Sequence, residues 1–371
     1  MNPLAGSIHR PTYAQGTFLV ELRRRVDAYF DTNRIARRDG AALYLKSAIL
    51  LTTFAAAWVA LVFVAQTWWQ VLPLSVLLGF VAALIGMNVQ HDGGHGAFSE
   101  RPWVNRWAAR ALDVIGGSSY LWHWKHGVLH HTYTNLEPYD TDVDVGLLGR
   151  MTPHQRRFWF HRWQRFYMWF LYGLLVIKWQ IVDDWRDLVR ARIGEHRVPR
   201  PRGVEAVVFV AGKLVFYAMA FVVPLLMHPL TSVLVCYAVA AGVAGIVLGI
   251  VFQLAHVVEE ASFPVPAPET GRLADEWAVS QVRTTVDFAR SSRVTTWLVG
   301  GLNFQVEHHL FPRISHVHYP EISKLVEETC REFHVPFAAH PTFMSAVRSH
   351  FRWLERMGAP TEPQPGPHVG V

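Results

Sequence analysis

The chain has 371 residues, of which 51% are hydrophobic and only 17% are charged, and its formal net charge is +6. This balance is too apolar for a typical soluble enzyme and favours a membrane protein with polar caps. The two cysteines, Cys236 and Cys330, provide neither a disulfide framework nor a thiolate metal site. The 20 histidines are far more than a chain of this length usually contains, and the 15 tryptophans fit aromatic rings at membrane interfaces.

The N-terminal segment, residues 1–40, precedes any long apolar run. Its apolar residues Phe18, Leu22, Val26 and Tyr29 recur at helical spacing with arginines between them. This pattern predicts an amphipathic helix on the membrane surface. Because the segment is rich in arginine and shows no cleavable signal, we expect it to stay in the cytosol.

Four apolar runs are each long enough to cross a bilayer, which needs about 20 residues. They predict membrane spans at about residues 47–66, 71–90, 206–227 and 231–255. The connections within each pair are very short, so each pair is predicted to form a helical hairpin. The whole membrane domain is predicted to cover residues 41–356, followed by a disordered tail, rich in Pro and Gly, at 357–371.

The distribution of positive charge predicts the orientation of the spans. No Lys or Arg occurs in residues 47–100 or 214–271. All Lys and Arg residues lie outside these two stretches. The positive-inside rule therefore places both hairpin tips away from the cytosol, and both termini within it. Lys213 in the third run is predicted to be an interfacial anchor that snorkels toward the cytosolic surface. The apolar segment 166–177 is too short to span and is predicted to lie in the interface.

Histidines form three clusters, and one further histidine follows the fourth predicted span. The clusters are HDGGH at 91–95, HGVLHH at 126–131 and QVEHH at 305–309, and the single residue is His256. Histidines four apart lie on one face of a helix, so both rings can reach one ion. The members of an adjacent His-His pair point about 100° apart on a helix, so each could serve a different metal.

The predicted spans bring all these histidines to one membrane boundary. His91 and His256 are each the first residue after a predicted span that returns to the cytosolic face. A structural zinc ion usually takes four ligands, whereas eight imidazoles suit two ions with a coordination position left open. Imidazole binds Fe, Zn, Cu and Ni alike, but the lack of cysteine ligands argues against an iron–sulfur cluster.

Carboxylates close to the clusters are candidates to accept hydrogen bonds from metal-bound imidazoles. Asp140 is the first choice, and the others are Asp92, Asp142, Asp144, Glu259 and Glu307. Gly93 and Gly94 are expected to allow close approach of the backbone to the metal ligands. His316 and His318 are candidates for a role near a substrate headgroup or in support of the ligands. The remaining histidines are predicted to be surface or interface residues: His123, His154, His161, His196, His334, His340 and His350.

On these motifs the sequence resembles the membrane fatty-acid desaturases, and it is most similar to the front-end and linoleoyl-CoA-type acyl desaturases. The matching segments are HDGGH, KHGVLHHTYTN, QLAHVVEE and GGLNFQVEHHLFPRISHVHYP, and the resemblance covers roughly residues 18–350. The resemblance implies an all-α integral membrane protein with four transmembrane helices and a helical cytosolic cap. It also implies two iron ions held by the eight histidines His91, His95, His126, His130, His131, His256, His308 and His309.

The implied activity is O2-dependent desaturation of a fatty-acyl chain, on CoA or on a lipid, with release of water. Gln305 stands where many desaturases have another histidine, which makes it a candidate to support or bind a metal. Many front-end desaturases carry a fused cytochrome b5 domain with an HPGG motif, which this sequence lacks. A separate electron donor is therefore expected, either ferredoxin or cytochrome b5 with its reductase. The implied location is a bacterial inner membrane or the endoplasmic reticulum, with a cytosolic active site and no nucleic-acid partner.

Two other functions use similar features. Di-iron hydroxylases and monooxygenases of lipids or alkanes carry similar histidine clusters, and the mass of the product distinguishes them from desaturases. A membrane metal transporter would place its ligands near the bilayer midplane within the spans. Here the candidate ligands lie just beyond predicted span ends or in predicted cytosolic segments.

Overall fold

The computed structural model describes residues 11–360. Parts of the predicted N-terminal segment (residues 1–10) and of the predicted tail (residues 361–371) lie outside the described residues. Within 11–360 the structure is mostly helical, and four helices are long and apolar enough to cross a membrane. These are span 1 (Ala41–Val64), span 2 (Trp68–His95), span 3 (Val204–Met227) and span 4 (Leu230–His256).

Short connections join the spans in two pairs. Residues 65–67 link spans 1 and 2, and His228 and Pro229 link spans 3 and 4. Span 2 begins after Thr67, whose backbone N–H donates to Oε1 of Gln70 at 3.2 Å. This contact satisfies one of the free N–H groups at the helix start.

Spans 2 and 4 pack closely because small residues line their contact. A Cβ at Gly79 would lie 2.1 Å from the carbonyl oxygen of Ala240, so only glycine fits there. The buried cluster around this contact includes Val81, Leu84, Ala241, Ala244 and Leu248. The packing holds the ends of spans 2 and 4 side by side, where the candidate ligands His91, His95 and His256 are located.

The helices of spans 2 and 4 extend past the apolar runs from which the spans were predicted. The helix of span 2 continues through a π-helical turn, Gly86–Gln90, to His95, and span 4 includes His256 as its last residue. An apolar run in the sequence marks only the part of a helix that lies in lipid or in an apolar core. A helix continues beyond this run as long as its backbone hydrogen bonds are satisfied, which here carries His91, His95 and His256 on the spans themselves.

The N-terminal helix, Phe18–Asn33, forms where it was predicted, but its apolar face is covered by protein. Phe18, Leu22, Val26 and Phe30 are buried, and they pack against the helix Tyr319–Glu332. Phe30 rather than Tyr29 completes the stripe. The helix was predicted correctly, but the prediction that its apolar face lies on the membrane was wrong. A 3.6-residue period shows that a helix has an apolar face, and it does not distinguish a lipid surface from a protein surface.

Lys213 does not snorkel. It is 2% exposed, and its Nζ donates to the carbonyl of Gly116 and to Oδ2 of Asp184, both at 2.7 Å. A lysine in an apolar segment must reach water or find a partner. The sequence does not reveal that Asp184, on a separate helix, is this partner.

The segment predicted to lie in the interface forms the helices Gln164–Gly173 and Leu175–Lys178, which continue through a π-helical turn to Arg190. It is not among the four helices in residues 11–360 that could cross a membrane. Met168, Tyr172 and Val176 are buried, whereas Phe166 and Phe170 are exposed. One face therefore packs on the protein and the other remains free.

The rest of the described chain consists of short elements around the ends of the spans. Three two-stranded pairs form: Thr12–Ala14 with Arg272–Glu276, Arg192–Ile193 with His196–Arg197, and Asp287–Phe288 with Ala339–His340. The other helices are Pro102–Ala109, Ala111–Val114, Ser119–Trp122, His123–His130, His131–Tyr133, Thr141–Val143, Gly146–Leu148, Trp159–Trp163, Trp277–Thr284, Arg293–Val299, Gln305–Leu310, His316–His318 and Phe343–Gly358. The last of these, the C-terminal helix, extends two residues past the predicted start of the tail.

Candidate metal centre

The first histidine cluster forms the final turn of span 2. The rings of His91 and His95 lie on one face with their centroids 4.8 Å apart, as their spacing predicts. The helix ends at Gly96, whose φ of 72° is a conformation that favours glycine. The chain can therefore turn away directly after His95.

The second cluster lies on a π-helix, His123–His130, which continues into the short helix His131–Tyr133. The segment begins at Ser118, whose Oγ accepts the N–H of Leu121 at 3.2 Å. A π-helix is uncommon and often marks a functional site. Here it allows His126, His130 and His131 to point toward different parts of the centre.

The third cluster lies on the short helix Gln305–Leu310, which is fully buried. Gly300 and Gly301 precede it with φ values of 63° and 71°. A Cβ on Gly300 would lie 2.5 Å from the carbonyl oxygen of Met87, so glycine is required for the loop to touch span 2. Asn88 of the same π-helical turn donates to the carbonyl of Leu298 at 2.9 Å, which fixes the loop against the span.

Seven of the eight predicted ligands fall into two groups of histidines, and each group could hold a metal ion. In each group the candidate ligand atoms lie within 4.8 Å of one another, as a shared metal ion requires. The first group contains His91, His95, His126 and His308, and the second contains His130, His256 and His309. His131 connects them, because it forms a further group with His308 and His309.

The predictions made from histidine spacing agree with these groups only in part. His91 and His95 share a group, and the adjacent residues His308 and His309 are divided between the two groups. His126 and His130 were expected to reach one ion, but each lies with a different group of histidines. Their rings remain stacked with centroids 5.0 Å apart, and their only common group includes Asp142. The assignment of all eight as ligands stays a prediction.

The chemistry of the donor atoms fits metal ions. Five of the eight rings have a buried nitrogen without a hydrogen-bond partner within the described chain: His95, His130, His131, His256 and His309. Leaving a buried polar atom unpaired is costly, so such a concentration indicates a missing partner. A metal ion fits this position because neutral imidazole nitrogen is a good ligand for it.

Burial favours the neutral form of several rings of this centre. It lowers the pKa of His131, His308 and His309 well below the usual range, and neighbouring histidines lower the pKa further. A neutral ring has a lone pair to offer a metal. Burial also lowers the pKa of His130, but the charge of Asp140 and the hydrogen bond with it outweigh this effect and raise the pKa overall.

Polar side chains hold the outer nitrogens of several rings. Oδ2 of Asp140 lies 3.0 Å from Nδ1 of His130, and Oε1 of Gln281 lies 2.8 Å from Nδ1 of His309. Nε2 of Gln305 lies 2.9 Å from Nε2 of His256. Oxygen acceptors such as those of Asp140 and Gln281 fix the tautomer and the orientation of a metal-bound ring.

The other candidate carboxylates have different places. Asp92 accepts from Nδ1 of His316 at 2.8 Å, and Asp142 lies 3.6 Å from Nδ1 of His126. Asp144 accepts the N–H of Gly146, the carboxylate of Glu259 lies 3.9 Å from the guanidinium of Arg352, and neither belongs to a group of possible metal ligands in the described residues. Glu307 is fully buried beside Asp287, and this burial, followed by the charge of Asp287, raises the pKa of Glu307 well above its usual range.

Three histidines that were predicted to be surface or interface residues are buried: His161, His340 and His350. Each has a partner elsewhere in the chain, such as the carbonyl of Leu147 for Nε2 of His161 at 2.9 Å. The prediction was wrong for these three because a single histidine gives no spacing from which its contacts can be inferred. By contrast, His123, His154 and His334 are exposed.

An apolar cavity of about 500 Å³ begins at the first group and extends between the four spans. Gln90, His91 and Trp122 line it at the histidine end, and Thr67 and Pro229 line it at the loops that connect the spans. Most of the remaining wall is apolar, with Phe54, Leu78, Val233, Leu248 and Phe252 among its residues. One ring of the candidate centre thus faces a space that is suited to a hydrocarbon chain.

The family model described as "Fatty acid desaturase" matches residues 66–341, well over half of the chain and including every histidine of both groups. The chain belongs to this family. It is 40% identical over 342 residues to the sn-1 linoleoyl-lipid 6-desaturase of Arthrospira platensis, with 92% of each chain covered. The desaturase of the same description from Synechocystis sp. is 37% identical, with 91% of this chain and 94% of that protein covered. The acyl-lipid (8-3)-desaturase of Physcomitrium patens is 36% identical, with 92% of this chain and 72% of that protein covered.

The protein is therefore a fatty-acid desaturase, an oxidoreductase of lipid metabolism. Several residues that build the centre of this desaturase escaped the sequence reasoning. Gln281 lies in a segment without histidines, and no spacing relates it to His309. Thr134 and Asn135 belong to the segment KHGVLHHTYTN, which matches the family pattern. This match was the only feature of the sequence that could have pointed to a role for these two residues. Thr134 Oγ1 lies 2.8 Å from Oε1 of Gln281, and Nδ2 of Asn135 donates to the carbonyl of His256 at 2.8 Å.

Proposed function

We propose that this desaturase removes two hydrogens from adjacent carbons of a lipid-bound fatty-acyl chain at a di-iron centre. The reaction consumes one O2, two electrons and two protons, and it yields one C=C bond and two waters. The observation that carries the proposal is the position of His91. It belongs to the first histidine group and also lines the apolar cavity, so the candidate metal centre and the hydrocarbon site share a wall.

The cavity supports an acyl chain as the substrate. Its wall is mostly apolar, and it extends from the histidines toward the connections at residues 65–67 and 228–229. A bound chain would exclude water from this space. A chain bound in this way would have a saturated segment beside the first group without a polar contact to the reacting carbons.

The protein contributes ligands, orientation and exclusion of water. Two iron ions held by the two histidine groups would supply the O2 redox chemistry that no side chain can perform. Asp140 and Gln281 hold the rings of His130 and His309 from outside. The indole of Trp122 stacks on His126 with ring centroids 4.7 Å apart and also lines the cavity, so it lies between this ring and the proposed acyl site.

Gly94 makes room for this indole. A Cβ at Gly94 would lie 2.2 Å from the Trp122 ring, so a larger residue would push the indole away from the histidines. We propose that this is why the first cluster contains glycine. The close approach that was expected at Gly94 is thus an approach of the Trp122 indole to the backbone of the first cluster.

The acyl carrier is proposed to be a lipid. The two most similar relatives described above are named linoleoyl-lipid 6-desaturases, and they match this chain over nearly its full length. We therefore propose a linoleoyl chain on a lipid as substrate, with the new double bond at carbon 6. A cavity that lies among the spans would receive such a chain directly from the bilayer.

Lipid analysis of cells that express the protein tests this function. Cells that make no product of their own are supplied with linoleic acid, and their lipids are converted to fatty-acid derivatives and analysed by mass spectrometry. A new acyl chain that is two hydrogens lighter, with the added double bond at carbon 6, supports the proposal. A chain that has gained one oxygen would instead show a hydroxylase. The His309→Ala variant, which lacks a predicted ligand, is the matched inactive control.

The electrons are proposed to come from a separate carrier protein on the cytosolic side. The purified desaturase should therefore be inactive with NADH alone. Activity should appear when a reductase is added together with ferredoxin or cytochrome b5. Turnover with NADH and no carrier protein would contradict this part of the proposal.

A further inference from the structure

His350 of the C-terminal helix is fully buried, and both of its ring nitrogens have partners. Nδ1 lies 2.6 Å from the carbonyl oxygen of Val257, and Nε2 lies 2.7 Å from the hydroxyl of Tyr172. A carbonyl only accepts, so Nδ1 carries the proton and the neutral ring accepts the Tyr172 O–H at Nε2. With both nitrogens engaged, His350 is not free to bind a metal itself.

The bond to Val257 matters because Val257 directly follows His256, a member of the second histidine group. His256 is the last residue of span 4, and the N–H of Val257 makes the last helical hydrogen bond, to the carbonyl of Gln253, so the carbonyl groups at this end need partners from outside the helix. The direction of the His256 ring therefore depends on what fixes the chain where it leaves the helix.

The C-terminal helix supplies this fixation at two successive residues. Besides the His350 contact, Oγ of Ser349 accepts the N–H of Glu259 at 3.0 Å and donates to the carboxylate of Glu260 at 2.6 Å. Residues 257–260 are thus held along one side of the helix.

Tyr172 connects the same arrangement to span 4. A Cβ at Gly249 would lie 2.8 Å from the Cβ of Tyr172, so glycine allows the tyrosine to lie directly against the span. His350 consequently joins the side of span 4, through Tyr172, to the chain that leaves its end. From the opposite side, Asn135 holds the carbonyl of His256 itself at 2.8 Å.

We propose that His350 is a positioning residue: it holds the chain behind His256 so that this ring stays in the second histidine group, and the C-terminal helix is therefore needed for retention of the second metal ion. The inference rests on the proposed di-iron function. It assigns a role to a helix that contributes no ligand among the described metal-binding groups.

Iron content of the purified, detergent-solubilised protein tests the proposal, with catalytic turnover as a second readout. The His350→Leu variant removes both hydrogen bonds while keeping an apolar side chain in the buried position. Iron should fall from two ions toward one per chain, while the circular dichroism signal of the helices is retained. His350→Asn can still donate to the Val257 carbonyl from nearly the same position and should recover part of the lost iron. Arg348→Ala, an exposed change on the same helix, should leave the iron content unchanged.

Equal iron content in wild type and His350→Leu would overturn the proposal. If the leucine variant does not accumulate, His350→Gln provides the same test, because its terminal amide can still bond the hydroxyl of Tyr172 but no longer lies beside the carbonyl of Val257. Iron loss in that variant supports the proposal, and full retention overturns it. The metal content of the wild-type protein tests the proposed function separately from the variants. A wild-type protein that is active with one zinc and no iron would refute the di-iron proposal, whatever the variants show.

Discussion

Oδ2 of Asp140 lies 3.0 Å from Nδ1 of His130 and 2.9 Å from the backbone N–H of Asn135. One carboxylate oxygen thus orients a ring of the second histidine group and the residue that holds the carbonyl of His256. Asp140→Asn keeps the shape of the side chain but removes its charge. We expect metal affinity or activity to fall by about 10- to 100-fold, the usual effect of losing such a partner.

Asp144→Asn is the matched control for this change. Asp144 lies four residues away and accepts only the N–H of Gly146 in its own turn, so its variant should retain metal and activity. Titration of metal-free protein with iron, followed by a turnover assay, compares the two variants. Equal losses in both would show that the effect is not specific to the histidine contact.

His131 connects the two histidine groups, because its Nε2 lies 3.0 Å from Nε2 of His308 and its ring stacks on that of His309. His131→Ala should therefore abolish turnover and lower the iron content below two ions per chain. Insertion into the membrane should persist because His131 lies outside the four spans. The exposed His154→Ala variant serves as the control, and wild-type product levels from His131→Ala would contradict the ligand assignment.

Gly86 lines the cavity one turn before His91, and it has room for a side chain. A Cβ there would meet only Leu248, at 3.8 Å. Gly86→Leu should therefore fold but occupy space needed by the acyl chain. Overfilling such a space costs about 1–3 kcal/mol, which predicts a loss of activity of about 5- to 100-fold.

Gly86→Ala is the control for the backbone effect of replacing glycine, and it should remain close to wild type. Iron content should be the same in both variants, since neither touches a ligand. The assay measures product formed from acyl chains of several lengths. An equally active leucine variant would show that the substrate does not use this cavity.

His350 also predicts a dependence of stability on pH. Burial lowers its pKa to about 4, whereas in the unfolded chain the pKa is near the usual value of about 6.5. Between these values the unfolded state binds more protons, so this group's contribution to stability is complete above pH 6.5 and is lost as the pH falls toward 4. The contribution is on the order of 3 kcal/mol.

Thermal unfolding of the metal-free protein at several pH values between 7 and 4 measures this effect. Other buried histidines contribute to the slope in every variant. The slope should therefore be shallower in His350→Leu than in wild type. Identical slopes would show that His350 does not remain neutral in the folded protein.

The orientation of the spans can be tested with engineered cysteines. The native Cys330 is a poor target for this purpose, because it is 1% exposed and burial raises its pKa to about 12. Arg331→Cys and Trp69→Cys place thiols at two exposed positions, in a Cys330→Ala background. In sealed vesicles with the cytosolic face outward, a charged thiol reagent should label only the first. Labelling of both from one side would contradict the proposed topology.

The sequence could predict the spans and the gathering of the histidines because both depend on repeating patterns. Twenty apolar residues and a spacing of four are local properties of a helix. The partners of Lys213 and His309 could not be predicted in this way. Asp184 and Gln281 reach them across the fold, and their own sequence neighbours give no sign of it.

Helix type also limited the prediction. The expectation for His126 and His130 assumed an α-helix, but the backbone from His123 to His130 is π-helical. Insertion of an extra residue per turn depends on how the segment packs, and residue type alone does not encode it. The division of this pair between the two groups of histidines therefore became visible only in three dimensions.

The ion pair between Lys213 and Asp184 has a consequence for how this sequence can change over time. Removing either partner leaves an unpaired charge in apolar surroundings, at a cost of about 3–5 kcal/mol, whereas replacing both by apolar residues removes the problem. A mutation at one position is therefore tolerated best when the other has already changed. Positions 184 and 213 should accordingly co-vary across the family, as a linked pair in which a lineage keeps both charges or neither.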